Sequence, residues 1–290
     1  MIFTALLAVA LLQPPAETYS LRAVVSDAKG VPLRDLEAAD VSLIEGGVTR
    51  SISRFEKDER PARVALLIDS SQPLGTAYRL HFIDAAKALV ASFPPSTWLT
   101  VWTTGDRPSK VVDDLNLDSE GSSKEVESRL KRVAPTGANR ILDALVEAAE
   151  DLEKKEGERK ILVFISGTGP GFANEHRQGI VDRVLKKDME VTGVVIAEGG
   201  ESDGGGDVTR DDYDYVFSNL AQSTGGKLER TLSVMGTETA GGRVAADLRA
   251  TYRVTYLQPS GSRRSKIELQ VARPAVKARL SKPRKETPSP

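Results

Sequence analysis

The chain has no cysteine among its 290 residues, which removes disulfides, thiolate metal sites and thiol nucleophiles together. Histidine is almost as scarce. His81 and His176 are too few for a histidine-rich zinc centre, and both fall in segments with helical patterning, where a solvated or packed role accounts for them. An excess of one charge is missing too: 40 basic side chains stand against 41 acidic ones, so nothing in the balance points to nucleic acid or an anionic membrane as partner. The apolar run at residues 2–12 is too short to span a bilayer, which argues against a stable transmembrane anchor. Followed by Gln13-Pro14-Pro15-Ala16, it reads instead as a secretory signal peptide over residues 1–16, although its first residues carry no Lys or Arg; the expected location is secreted or periplasmic. The spacing Gly-x-Ser-x-Gly occurs once, as Gly200-Glu201-Ser202-Asp203-Gly204 within a glycine-rich stretch that reads as a flexible loop and not as a tight strand-to-helix elbow, and the glycine-rich Gly167–Gly171 turn lacks the Gly-Lys-Ser/Thr ending of a phosphate-binding loop. A hydrolase on an α/β scaffold is therefore the weakest of the functional alternatives.

What is present centres on Val64-Ala65-Leu66-Leu67-Ile68-Asp69-Ser70-Ser71-Gln72-Pro73. Five apolar residues, too few for a helix, run into a carboxylate and two hydroxyls, as expected of a strand buried on both faces that delivers polar groups at its carboxyl end. Open α/β sheets bind ligands at that end. Before it, residues 17–60 pattern as β structure, with a turn at Asp27-Ala28-Lys29-Gly30, a Gly46-Gly47 hairpin between strands near residues 41–44 and 48–52, and a charged linker ending in Pro61. From residue 61 to about 249, strands alternate with amphipathic helices. Phe82, Ala86, Leu89 and Phe93 share one helical stripe; Leu142, Leu145, Ala149 and Leu152 share another; Ser122 and Glu125 have capping-box spacing. This alternation predicts a doubly wound, mostly parallel sheet flanked by helices. Residues 250–280 return to β, and the basic, proline-rich residues 281–290 read as a disordered tail. Neither terminal β segment has strands enough to bury a face alone, so the two are expected to form one small β-rich accessory region; the alternative is that each flanks the central sheet separately.

Asp69 and Ser71 resemble the first loop of the metal-ion-dependent adhesion site of von Willebrand factor type A domains, whose pattern is Asp-x-Ser-x-Ser after a hydrophobic strand. Further stretches resemble the bacterial von Willebrand factor A-related family in order and spacing. They are the lead-in Val24-Val25-Ser26-Asp27-Ala28-Lys29-Gly30-Val31-Pro32, the second loop and helix Pro135-Thr136-Gly137-Ala138-Asn139-Arg140-Ile141-Leu142-Asp143, the late Ser223-Thr224-Gly225-Gly226-Lys227, and the closing Leu248-Arg249-Ala250-Thr251-Tyr252-Arg253-Val254.

The resemblance implies an adhesion or protein-binding module, not an enzyme. Metal-binding members hold a divalent cation with the first Asp, two serines, a second-loop threonine and a later aspartate. Here Asp69 and Ser71 match, but Pro73, Asn139 and Gly167 stand at the other three positions. Candidate metal ligands are thus Asp69, Ser71 and Asn139, with one carboxylate to offset the dehydration of Mg²⁺. The expectation is an extracytoplasmic protein-binding module that uses the carboxyl-end loops without tight metal binding and recognises an unidentified protein through Asp69, Ser71, Gln72, Thr136, Asn139, Arg140 and Thr168. The alternative is a Mg-dependent adhesion module in which Asn139 and Thr168 substitute for the usual ligands. Simpler roles also fit these residues: Asn139 as a helix cap, Asp143 as a helix-dipole partner, Ser71 closing a turn, and Asp69 held by loop amides. The Gly199–Asp207 stretch resembles a single calcium-repeat copy but reads as a flexible loop. Asp113-Asp114 and Asp211-Asp212 are placed at a strand end and a helix start, where solvation and capping account for them.

Overall fold

The computed structural model describes residues 16–157, 159–196, 206–260 and 265–286. The stretch read as a signal peptide lies outside them apart from Ala16, and so does the glycine-rich loop apart from its last two residues. The chain opens with strands β1 (Ala16–Ser26), β2 (Val41–Glu45), β3 (Val48–Arg50) and β4 (Ile52–Lys57). Two expected turns form: Asp27 Oδ1 accepts from the amides of Lys29 and Val31 at 2.8 Å each, and Gly46 and Gly47 both take positive φ, 58° and 82°, in the β2–β3 hairpin. The single strand expected over residues 48–52 is in fact two. Ser51 lies at a change of sheet, β3 pairing with β2 while β4 pairs with a C-terminal strand.

Strand β5 (Ala62–Ile68) then enters the central body, followed by α1 (Gly75–Ala77), a π turn at Tyr78–Phe82 that continues into α2 (Ile83–Val90), β6 (Trp98–Thr104) and β7 (Pro108–Asn116). Next come α3 (Ser122–Lys131), α4 (Ile141–Lys154), β8 (Arg159–Gly167), α5 (Arg177–Leu185), β9 (Glu190–Ile196), α6 (Arg210–Thr224), β10 (Leu228–Thr231) and α7 (Thr237–Leu248). The sheet order is β10-β9-β8-β5-β6-β7, parallel except for the antiparallel edge strand β7. Strand β5 has parallel neighbours on both sides and is buried at nearly every position, which is why its sequence is an unbroken apolar run. Val64, Leu66 and Ile68 pack on one face with residues of α2, α3 and α7; Ala65 and Leu67 pack on the other with residues of α4, α5 and α6. The result is the expected three-layer α/β/α body.

The chain closes with β11 (Tyr252–Pro259), β12 (Ile267–Val271), β13 (Lys277–Leu280) and β14 (Arg284–Lys285). Strand β11 lies between β1 and β4, β13 and β14 both pair with β1, and β12 pairs with β2. N- and C-terminal strands thus interleave in one sheet of five strands and another of three, which share a core of Leu21, Ala23, Val25, Leu43, Tyr252, Val254, Tyr256 and Leu269. This is the joint accessory region rather than two separate flanks.

Several expectations are corrected. Residues 281–286 are not a loose tail: β14 extends the larger sheet, and Ser281 and Glu286 donate backbone amides to Arg22 O (2.9 Å) and Thr18 O (2.8 Å). A basic, proline-rich composition is overridden here by an open edge of β1. The charged linker is mostly exposed but is pinned by one buried carboxylate. Asp58 is 5% exposed, receives both Nε and Nη2 of Arg60, and lies 3.6 Å from buried Arg159, whose guanidinium also reaches Asp58 O, Leu248 O and Glu190. Ser122 does not cap its helix; Gly121 holds that position with φ 81°, and the Ser122 hydroxyl donates to Leu117 O. His176 precedes α5 rather than lying within it. Asp113 and Asp114 lie inside β7, where Lys155 contacts both, and only Asp212 completes a capping box, with Thr209.

Candidate functional site

Because β5 connects toward β6 on one side while β8 leads on to β9 on the other, the chain paths diverge between the carboxyl ends of β5 and β8. That divergence opens a crevice in a doubly wound sheet. Asp69 emerges there, 1% exposed, with its amide bonded to Ile165 O at 2.9 Å. One carboxylate oxygen, Oδ1, accepts from the Ser71 amide at 2.9 Å; the other, Oδ2, accepts from the Gly167 amide at 3.0 Å and from Asn139 Nδ2 at 2.7 Å. Burial raises the Asp69 pKa to about 6, against the pull of the Ser71 and Gly167 donors.

Asn139, also 1% exposed, is the hub. Its Nδ2 donates to Asp69, to Ser166 Oγ at 3.0 Å and to Gly167 O at 3.3 Å, while its Oδ1 accepts from the Ile141 amide at 2.9 Å. The network sets the amide's orientation: reversing it would put an oxygen against a carboxylate and an NH₂ against an N–H. Arg140, not Asn139, holds the N-cap position of α4; Asn139, one residue earlier, accepts the first helical amide with its oxygen and presents a nitrogen to Asp69.

This donor set does not fit Mg²⁺, which takes oxygen ligands. At the threonine position an NH₂ group faces inward, and both Asp69 oxygens already accept N–H donors. Among the described residues no three His, Cys, Asp or Glu side chains gather as a metal cluster. The partial positive charge of the Asn139 amide hydrogens meets the Asp69 carboxylate directly.

The expected loops do converge. Thr136 N donates to Ser70 O (3.0 Å), Gln72 N to Gly137 O (2.9 Å), Asn139 N to Pro170 O (3.0 Å) and Phe172 N to Asn139 O (3.1 Å). Ser71 is buried and its carbonyl closes a turn with Leu74 N, whereas Gln72 and Thr136 are exposed and Thr168 is half-buried. Arg140 is half-buried, bonded to Asp143 at 2.9 Å and to Asn174 at 3.4 Å, with its guanidinium 5.5 Å from the Phe172 ring centre. The candidate residues thus separate into an inner set, Asp69, Ser71 and Asn139, and an outer set, Gln72, Thr136, Arg140 and Thr168. Two glycines permit the close approach: a Cβ on Gly137, whose φ is 61°, would lie 1.9 Å from Asp106 Oδ1, and one on Gly171 would lie 1.9 Å from the Tyr213 hydroxyl.

Sequence reasoning missed Ser166, whose hydroxyl accepts from Asn139 and donates to Gly167 O at 2.7 Å. Its place at the carboxyl end of an apolar strand, like that of Asp69, was the available signal. Tyr213 was read only as a helix-core residue, but its hydroxyl approaches Gly171, a proximity with no local signature.

No family model and no curated protein matches the sequence. Solved structures do. The von Willebrand factor type A protein from Catenulispora acidiphila aligns over 93% of this chain and 74% of its own with a TM-score of 0.52 and 8% identity. Proximal thread matrix protein 1 of the mussel byssus aligns over 71% of this chain with a TM-score of 0.50 and 17% identity, and the chain spans about half (49%) of that protein. At such identities the likeness is one of fold. Together with the sheet order, the crevice at the end of β5 and the Asp69-x-Ser71 loop, it establishes that this chain has a von Willebrand factor A-like fold.

Proposed function

We propose that the chain is a non-enzymatic, extracytoplasmic protein-binding module that recognises its partner with the carboxyl-end rim of the central sheet and does so without a metal ion. The observation that carries this reading is the 2.7 Å bond from Asn139 Nδ2 to Asp69. It satisfies the buried carboxylate internally and ties three loops into one rigid platform. A preorganised surface loses little entropy on binding. The outer set then supplies the contacts: Gln72 and Thr136 as exposed hydrogen-bonding groups, Thr168 as a hydroxyl at the edge, and Arg140 as a held, planar cation beside Phe172, which is 36% exposed.

The test begins with a partner isolated by proximity labelling in the cell of origin. Binding to wild type and to Gln72→Ala, Thr136→Lys and Arg140→Glu is measured with and without EDTA, beside calorimetric titration of the free chain with Mg²⁺ and Mn²⁺. The expected result is loss of binding in the rim variants, indifference to EDTA and no saturable metal heat. Abolition by EDTA would favour the Mg-dependent alternative, and full binding by all three variants would remove the rim from consideration.

A further inference from the structure

At the opposite, amino end of the central sheet, residues 281–286 border a cleft of about 290 Å³ between the β-rich region and the turn that precedes β9. Its lining carries six cations, Arg22, Arg60, Arg253, Lys282, Arg284 and Lys285, and two acids, Asp188 and Glu286. The ion pairs there are shared rather than matched. Asp188 serves Arg22 at 3.3 Å and Arg284 at 3.1 Å while its own side chain is 63% exposed. Asp58 holds Arg60 at 2.6 Å and also faces Arg159, Glu286 takes Arg253, and Glu17 takes Lys285 at 2.8 Å. Even with Asp58 and Glu17 included from outside the lining, six cations face four acids. Lys282 is exposed, its backbone amide is anchored to Ser223 O at 3.0 Å, and its ammonium has no ion-pair partner among the described residues.

The cations converge from separate parts of the chain: β1, the segment after β4, β11 and residues 282–285. Nothing in their local sequences brings them together, and mutual repulsion opposes the arrangement. The uncompensated charge of two matches that of a dianion. Four of the six are arginines, whose planar forks of N–H donors suit a tetrahedral oxyanion better than a single carboxylate. We propose that this cleft binds a phosphate dianion, either free or as the monoester of a small molecule. The ligand bridges Lys282 and the arginines, and so pins the C-terminal strap, which meets β1 through the Tyr19–Lys285 and Ser20–Arg284 pairs of β14 and the Ser281–Arg22 and Glu286–Thr18 bonds that flank them, against the central body. The site is independent of the rim and does not rest on the rim's proposed role.

Calorimetry on the full chain at fixed ionic strength, with inorganic phosphate in one arm and glycerol phosphate in the other, tests this directly. The expected result is saturable binding of at least one probe, weakened by roughly tenfold or more in Lys282→Glu or Lys285→Glu, as loss of a charge-assisted contact implies. Both positions are exposed, so circular dichroism of the two variants should match wild type. Tighter binding of inorganic phosphate identifies the free ion as ligand, and tighter binding of glycerol phosphate identifies an ester. No saturable binding of either probe at millimolar concentration, or unchanged affinity in both variants, overturns the proposal.

Discussion

Replacing Asn139 with alanine tests the inner site most directly. The substitution removes the charge-assisted donor to Asp69 at 2.7 Å and the acceptor for the Ile141 amide at 2.9 Å, both among groups sealed from water. A hydrogen bond to a charged group contributes about 1.5–3 kcal/mol and a neutral one about 1 kcal/mol, so the expected loss is about 2.5–4 kcal/mol. That is a large part of a typical domain stability of about 5–15 kcal/mol. Urea unfolding followed by circular dichroism reads it as a lower midpoint at unchanged slope. If the Asn139 N–H donor satisfies Asp69 without a cation, millimolar Mg²⁺ should leave the wild-type midpoint where it is. A loss below about 1 kcal/mol, or a wild type that Mg²⁺ stabilises, would refute the reasoning.

Other perturbations probe other links. Burial raises the Asp247 pKa to about 6, with Glu190 reinforcing the shift and Arg279 and Lys227 opposing it. The folded state therefore binds this proton more tightly than the unfolded state, whose carboxyl titrates near 4, and this group's contribution should grow as pH falls from 7.5 to 5. Urea melts across that range should show a component that disappears in Asp247→Asn; identical pH profiles for the two proteins would contradict it. Tyr213→Phe removes a buried hydroxyl that has no hydrogen-bond partner among the described residues, so its unfolding free energy should be unchanged or up to about 1 kcal/mol higher. Gly171→Ala forces a methyl against that hydroxyl and Asn139 O, and should cost about 1–3 kcal/mol in the same assay. Truncation after Leu280 deletes β14 and the Ser281 bond to Arg22, so its thermal midpoint should fall by several degrees; an unchanged midpoint would mean that the strap contributes nothing.

Much of this protein was determined by local sequence. The apolar run of residues 64–68 can only be a strand covered on both faces, the stripe Leu142, Leu145, Ala149 and Leu152 can bury one helical face, and Gly46-Gly47 supplies the positive φ of a tight hairpin. These signals are periodicity and backbone preference, which act over a few residues and so are written there. The position of Asp69 at a strand's carboxyl end was equally legible. Which atom Asn139 turns toward Asp69 was not, because that depends on Ile141, Ser166 and Gly167 surrounding one amide. Nor was the order of residues 281–286, since an exposed edge of β1 exists only once β11 has paired with the other edge. Composition and pattern determined the layers; hydrogen-bond satisfaction among residues distant in sequence decided the site, because a buried polar group must find its partners wherever the fold has placed them.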